Sequence, residues 1–262
     1  MSEIKRDFLK FTVLGSGTSS GIPTISCNCE TCTSADPRDK RLRCSLLVES
    51  PSTSIVIDTS PDFRQQMLRC GVKKLDAVIF THHHFDHIGG FDDIRAFNFT
   101  SGNRMPIFLN EKTFKELKRT FIYAFEEPEQ RGGGVPLIDI NILNGCKFSV
   151  GDIELIPIPV LHGKLVTLGF RIGRMAYITD VNNIPPESMK NLKGLKYLII
   201  DALRFNPHPT HFCVDEATNA ALMIGAEITY FTHMAHQIKH EELESKLPEN
   251  IFLAYDGLVL ET

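Results

Sequence analysis

The sequence lacks several features that would place it in a special class of protein. It contains no run of about 18 consecutive apolar residues, so a membrane-spanning helix is not expected. Its first residues, MSEIKRDFLKFTVLGSG, lack the long apolar core and the small-residue cleavage site of a signal peptide. It has no internal repeat, no low-complexity tract and no linker. These absences predict a cytoplasmic protein with a single domain over residues 1–262.

The chain also lacks a surplus of basic residues. Lys and Arg number 28 against 32 Asp and Glu, and the formal net charge is −4. Unspecific binding to nucleic acid needs excess positive charge against the phosphates, so long nucleic acid is not expected as a partner. A length of 262 residues with 42% hydrophobic residues is typical of a globular protein with a sizeable core. The sequence is compatible with a homodimer.

The chain has few cysteines, and their number, seven, is odd. At this chain length, seven cysteines are not needed as disulfide staples. Three of them lie in CNCETC, and in a reducing compartment such a cluster indicates a metal site: Cys27, Cys29 and Cys32. The other four are predicted to be buried free thiols: Cys44, Cys70, Cys146 and Cys213.

Short apolar segments alternate with amphipathic ones along the chain. SPDFRQQMLRCG is predicted to be a helix that has Ser60 as its N-cap and ends at Gly71. EEPEQRGGGVP (126–136) is predicted to be a loop, and IFLAYDGLVLE (251–261) a single last strand. Two blocks of strands, each with helices, predict an α/β fold in which two sheets pack face to face with helices outside.

Histidines and aspartates recur at the carboxyl ends of the predicted strands, most densely in THHHFDHIGG. In extended chain His82 and His84 point to the same side, while His83 faces away. The full set has five imidazoles and two carboxylates: His82, His84, Asp86, His87, His162, Asp180 and His233. One four-coordinate zinc ion cannot use so many ligands, and two metal ions can. A single metal held by three ligands from one loop stays the alternative.

The pattern His82-x-His84-x-Asp86-His87, followed by His162, Asp180 and His233, resembles the metallo-β-lactamase superfamily over nearly the whole chain. The resemblance implies a four-layer αβ/βα sandwich of two facing mixed β-sheets, with a dinuclear site at one edge. It implies that His82, His84 and His162 hold one metal. It implies that Asp86, His87 and His233 hold the other and that Asp180 bridges the two. Asp58 matches an early aspartate that orients a ligand or loop from behind.

A pair of divalent cations has a clear chemical use. Two cations about 3.5–4 Å apart share a water, convert it to hydroxide at neutral pH and neutralise charge on the substrate. The predicted outcome is hydrolysis of an ester, thioester, amide or phosphodiester. His/Asp sites accept several metals, and we expect Zn or Mn.

Further segments are similar to the PhnP group, the phosphoribosyl cyclic phosphodiesterases: GSGTSSGIPTISCNCETC, HPTHF, THMAHQ and AYDGLVLE. The similarity implies a structural zinc held by Cys27, Cys29, Cys32 and His236. It also assigns His211 to the substrate phosphate, so the predicted catalytic residues are Asp86, Asp180 and His211. His208 and His240 have no counterpart and are predicted to lie on the surface.

The expected substrate is a small cyclic phosphodiester, either phosphoribosyl 1,2-cyclic phosphate or a 2′,3′-cyclic nucleotide. A thioesterase of the glyoxalase II type shares the histidine motif but usually adds a helical region, whereas LVLET ends this sequence. A nuclease of the RNase Z type carries a glycine-rich arm, and RGGGVP is too short for one. A non-enzymatic zinc module would need neither Asp180 nor both metal groups.

Overall fold

The computed structural model describes residues 8–126 and 134–262 of the chain. The loop predicted at 126–136 therefore lies largely outside the described residues. The strands of the first half are β1 (Lys10–Gly15), β2 (Ser45–Glu49), β3 (Ser54–Ile57), β4 (Ala77–Ile79), β5 (Met105–Leu109) and β6 (Ile138–Ile142). Those of the second half are β7 (Phe148–Val150), β8 (Ile153–His162), β9 (Leu165–Ile172), β10 (Met175–Ile178), β11 (Tyr197–Asp201), β12 (Ile228–Thr232), β13 (Ile251–Leu253) and β14 (Val259–Glu261).

Helices connect these strands. They are α1 (Glu30–Thr33), α2 (Phe63–Cys70), α3 (Phe85–Ile88), α4 (Arg95–Ser101), α5 (Glu111–Thr120), α6 (Pro186–Met189), α7 (Val214–Ile224) and α8 (His240–Glu244). None of the helices in the described ranges is long and apolar enough to cross a membrane.

The strands form two mixed sheets of seven strands each. One has the order β14-β1-β2-β3-β4-β5-β6 and the other the order β13-β12-β11-β10-β9-β8-β7. Parallel pairing runs through β3-β4-β5 in the first sheet and β10-β11-β12 in the second. The carboxyl ends of those strands therefore meet at one edge of each sheet. Strand β14 pairs with β1, so the end of the chain forms the edge of the same sheet as its beginning. This pairing is what a single domain would have; the single domain over residues 1–262 stays a prediction.

Three apolar layers separate the sheets and helices. In β2, Leu46 and Val48 face the core between the two sheets, whereas Leu47 faces the core under the helices of the first sheet. The second sheet packs its outer face on α7 through residues such as Ala217 and Ala220. Strands buried on both faces explain why the sequence reads as continuous apolar runs. The predicted four-layer sandwich is confirmed.

Two details of the prediction were wrong. Helix α2 begins at Phe63 rather than next to Ser60, because the Ser60 hydroxyl accepts a hydrogen bond from Asp62 N (3.1 Å) in a turn that precedes the helix. Its end at Gly71 is confirmed, with φ of 64° in the left-handed region. The predicted last strand is two strands, β13 and β14, which belong to different sheets. Gly257, at φ 95°, makes the turn between them.

Candidate active site

The strand ends that carry the predicted site residues have an unusual backbone. Four residues other than glycine in the described ranges have positive φ, and three of these follow strands β3, β10 and β12: Asp58 (66°), Asp180 (50°) and His233 (58°). This conformation costs of order 1–3 kcal/mol per residue and persists only where the surrounding structure enforces it. Such strain is concentrated at functional sites, and here it turns the side chains towards one another.

The first cluster contains His82, His84, His162 and Asp180, whose possible ligand atoms lie within 4.8 Å of one another. Asp180 Oδ2 lies 3.7 Å from His82 Nε2 and 3.8 Å from His162 Nε2. The His162 ring is oriented by its Nδ1–H, which donates to the carbonyl oxygen of Thr210 (2.6 Å). This leaves its Nε2 free to face the cluster.

The second cluster contains Asp86, His87, Asp180 and His233 within the same limit of 4.8 Å. His87 Nε2 lies 3.0 Å from Asp180 Oδ1 and 3.3 Å from Asp86 Oδ2. Asp180 is shared by both clusters, which are the two sets implied by the resemblance. The role of each residue as a metal ligand stays a prediction.

Asp58 lies behind the second cluster and is fully buried. Its Oδ2 accepts hydrogen bonds from His87 Nδ1 (2.7 Å) and from the Thr81 hydroxyl (2.8 Å). This is the contact that its predicted role requires, because a carboxylate on Nδ1 fixes the tautomer and directs Nε2 forward.

The unpaired nitrogen atoms of the clusters fit a pair of divalent cations. His82 Nε2, His87 Nε2 and His233 Nε2 are buried and have no hydrogen-bond partner among the described residues. Buried polar atoms are almost always paired, and a cluster of exceptions indicates an ion or another bound group. Imidazole and carboxylate together are the donors that Zn and Mn accept.

Strong electrostatic attraction links the imidazoles and carboxylates. Burial alone would raise the pKa of Asp180, but His233 and His87 hold it well below the usual range. Burial alone would lower the pKa of His233, but Asp180 raises it to about 9. Burial alone would also lower the pKa of His87, but Asp180 and Asp86 raise it well above its ordinary value. The carboxylates thus produce a negative electrostatic potential at the point where a cation would lie.

His211 lies beside the clusters and is held by a residue that the sequence analysis missed. Its Nδ1–H donates to Asp201 Oδ2 (2.7 Å), and its Nε2 is 3.9 Å from Asp180 Oδ2. The ring stacks on that of His233, with centroids 4.7 Å apart. Asp201 ends the apolar strand β11, as Asp58 follows β3, so the same strand-end signal could have found it.

Of the two histidines predicted to lie on the surface, His240 does not do so and His208 does so only in part. His208 is half-buried, with its ring centroid 5.2 Å from that of His211. His240 is fully buried, and its backbone N–H donates to Asp39 Oδ1 (2.9 Å). Asp39 is itself buried and pairs with Arg41 at 3.0 Å, and its long-range hydrogen bond with His240 holds that residue in the interior.

A third cluster, separate from the first two, contains three cysteines and one histidine. His236 Nδ1 lies 3.1 Å from Cys27 Sγ, 3.5 Å from Cys29 Sγ and 4.0 Å from Cys32 Sγ. In a tetrahedral Cys3His zinc site, the S–N edges are about 3.5 Å long, given Zn–S near 2.3 Å and Zn–N near 2.0–2.1 Å. The four side chains are therefore spaced as such a site requires.

The thiols of this cluster differ in acidity. A hydrogen bond from the Cys32 backbone lowers the pKa of the Cys29 thiol to about 6, whereas burial raises the pKa of Cys32. Crowded thiols resist simultaneous ionisation, and a divalent cation removes that conflict. The structural zinc stays a prediction.

The remaining cysteines match their prediction only in part. Cys44 and Cys213 are buried, but Cys70 is half-buried and Cys146 is exposed. Cys146 lies in the connection between β6 and β7, where the chain runs over the surface.

Replacing Cys29 with serine is expected to remove one zinc ion per chain and to destabilise the fold. Metal-binding energy is folding energy at such a site. If the cysteine contributes about 3 kcal/mol, Tm should fall by roughly 6–12 °C in a chain of this size. Elemental analysis and thermal denaturation measure the two effects.

The exposed Cys146 provides a matched control for that substitution. Cys146→Ser makes the same chemical change away from the cluster and should alter neither quantity. A Cys29→Ser protein that keeps its full zinc content and its Tm would contradict the assignment.

The comparisons with known proteins agree with this geometry. The family described as Beta-lactamase superfamily domain matches residues 53–234, which contain both His/Asp clusters. The crystal structure of a diphosphatase from the PhnP family has 44% sequence identity and a TM-score of 0.92, with 97% of each chain covered.

Two curated relatives have other names. An octanoyltransferase of Porphyromonas gingivalis is 36% identical over 254 residues, which are 95% of this chain and 51% of the relative. The chain thus spans about half the length of that protein. A ribonuclease Z of Methanopyrus kandleri is 22% identical, with 86% of this chain and 94% of the relative covered. With most of its length matched by the family and by a PhnP-family structure, the chain belongs to the metallo-β-lactamase superfamily and, within it, to the PhnP family.

Proposed function

We propose that the protein is a dinuclear phosphodiesterase that cleaves a small cyclic phosphodiester. The observation that carries the proposal is that two His/Asp clusters share Asp180 and lie beside His211. When bound, a pair of divalent cations activates water and offsets the negative charge that grows on phosphoryl oxygens. We assign the six flanking ligands and the bridging Asp180 to holding that pair.

The protein side chains have separate tasks in this proposal. Asp58 keeps His87 in one tautomer through the bond at Nδ1 (2.7 Å). Asp201 does the same for His211, whose Nε2 then faces the reacting phosphate as a hydrogen-bond or proton donor. We also assign Asp86 of helix α3 to catalysis, because its carboxylate lies 3.5 Å from His233 Nε2 and 3.3 Å from His87 Nε2 in the second cluster.

The proposed substrate is chosen from the net charge of the chain and from its similarity to known proteins. A net charge of −4 disfavours long nucleic acid. The PhnP resemblance favours a small cyclic diester, either phosphoribosyl 1,2-cyclic phosphate or a 2′,3′-cyclic nucleotide. A diphosphate linkage is the second candidate, favoured by the diphosphatase that is 44% identical to this chain.

The cellular setting belongs to the same proposal. We propose a cytoplasmic enzyme with Zn or Mn in the active site and one structural zinc at Cys27, Cys29, Cys32 and His236. No membrane is proposed as a partner, and a homodimer is compatible with the proposal. Glyoxalase II-type thioester hydrolysis and RNase Z-type cleavage of transfer RNA are the alternative activities.

A substrate panel tests the proposal. The metal-loaded protein should hydrolyse 2′,3′-cyclic AMP or phosphoribosyl 1,2-cyclic phosphate at least roughly 10³-fold faster than its Asp180→Asn variant, because metal-assisted charge stabilisation contributes several kcal/mol. ADP-ribose tests the diphosphate candidate, glutathione thioesters the thioesterase and precursor transfer RNA the nuclease. Turnover of thioester or transfer RNA, without turnover of any small phosphodiester or diphosphate, would overturn the proposal.

A further inference from the structure

Arg41 is the largest fully buried side chain in the described ranges, and it belongs to neither His/Asp cluster. The residue is only 1% exposed. Burial lowers the pKa of its guanidinium, and the charge of Asp39 opposes that change. Arginine is almost never fully buried unless it is paired. A buried ion pair is often no more stable than apolar residues of similar volume, so stability alone does not explain this one.

The guanidinium of Arg41 donates three hydrogen bonds. Nη2 donates to Asp39 Oδ1 (3.0 Å), Nε to the carbonyl oxygen of Arg38 (3.1 Å) and Nη1 to that of Ile238 (2.8 Å). The donors of a guanidinium form a rigid fork, so the directions of the three bonds are fixed together. Two of the bonds are local, whereas the bond to Ile238 reaches a segment 197 positions away in the chain.

That distant segment carries His236, the histidine of the third cluster. Ile238 follows His236 by two residues, and its carbonyl oxygen is the one that Arg41 binds. Asp39 Oδ1 also accepts a hydrogen bond from His240 N (2.9 Å). The ion pair therefore holds the chain just after His236 at two points.

The backbone of the same arginine holds the segment that carries the thiols. Arg41 N donates to Ile22 O and Ile22 N donates to Arg41 O, both at 2.8 Å. Thr24 N then donates to Cys32 Sγ (3.3 Å), and Lys40 Nζ donates to Cys32 O (3.0 Å). The thiols and the imidazole of the third cluster thus come from two segments that are both fixed to Arg41.

We propose that Arg41, paired with Asp39, is the positioning residue of the third cluster and holds its three thiols and His236 at the spacing that zinc requires before zinc binds. This inference rests on the structural zinc of the proposed function and is independent of the substrate. Ligands that are already in place lose less conformational entropy on binding, so the pair should set the affinity of the cluster for metal.

Replacing Arg41 tests the inference through metal affinity. Co²⁺ titrated into the metal-free chain reports the third cluster alone, because only cysteine ligands give thiolate-to-cobalt charge-transfer absorption. This band should be lost in Cys29→Ser. Arg41→Met should weaken the binding that the band measures roughly 10–100-fold, the usual effect of removing a contact that orients metal ligands.

A double variant separates positioning from stability. Arg41→Met alone leaves the charge of Asp39 buried without a partner, which destabilises the fold. Asp39→Asn combined with Arg41→Met removes both charges and keeps an oxygen that can accept from His240 N. This double variant should keep the Tm of the metal-free chain and still bind Co²⁺ as weakly as Arg41→Met.

Lys239→Met is the matched control, because Lys239 Nζ also joins the two segments, through an ion pair with the exposed Glu30 (3.7 Å). Such a surface pair contributes little, so Co²⁺ affinity should not change. Wild-type Co²⁺ affinity in the double variant would overturn the positioning role and keep the zinc site. A wild-type chain without the thiolate band would overturn the structural zinc and the inference with it. Neither readout uses hydrolysis, so failure of the phosphodiesterase would be seen separately in the substrate panel.

Discussion

Asp180→Asn is expected to abolish activity and to lower the active-site metal content below two ions per chain. Asp180 Oδ1 lies 3.0 Å from His87 Nε2, and its Oδ2 lies 3.7 Å from His82 Nε2, so one carboxylate serves both clusters. Asparagine keeps the shape but removes the negative charge. The loss of several kcal/mol of charge stabilisation corresponds to a decrease in turnover of roughly 10³-fold or more.

A matched carboxylate separates this effect from general damage. Asp76→Asn makes the same change beside the amino end of β4, where Asp76 pairs with Lys74 at 2.8 Å. That variant should keep its metal content and turnover. Elemental analysis, circular dichroism and initial rates are the measurements. An active Asp180→Asn protein with two metals per chain would show that this carboxylate is dispensable.

The site could be predicted largely because its polar residues directly follow apolar strand segments in the sequence. His82, Asp180 and His233 each follow an apolar segment, and the carboxyl ends of parallel strands meet at one edge of a sheet. Local sequence therefore indicated where polar side chains would gather. The positive φ of Asp180 and His233 could not be predicted from the sequence, because residues other than glycine rarely adopt this conformation.

The parts that sequence missed depend on contacts between distant residues. Asp201 could have been found as a polar residue at a strand end, but its bond to His211 depends on how the loop after β11 folds back. Burial of His240 follows from its bond to Asp39, about 200 positions away in the chain. Such pairs are settled by tertiary packing, which overrides the general expectation that a histidine in a polar segment is exposed.

His211→Ala is expected to lower kcat roughly 10²–10⁴-fold, the usual range for losing a positioned proton donor. As the bond to the departing alkoxide breaks, negative charge grows on that oxygen, and the imidazole can protonate or hydrogen-bond it. Asp201 Oδ2 fixes the ring through Nδ1 at 2.7 Å, which leaves Nε2 for the substrate. The loss should be largest for cyclic substrates with an alkoxide leaving group.

The leaving group and the metal content together decide the role of His211. For bis-(p-nitrophenyl) phosphate the departing phenolate needs no proton, so His211→Ala should cost much less there. His83→Ala is a suitable control, because His83 belongs to neither cluster. His211 also lies within 4.8 Å of Asp201 and His233 in a third group of possible ligand atoms. If His211→Ala loses a metal ion, the residue is a ligand. Because a proton donor acts only at the departing oxygen, an equal loss for both leaving groups with full metal content would instead limit His211 to holding the substrate phosphate.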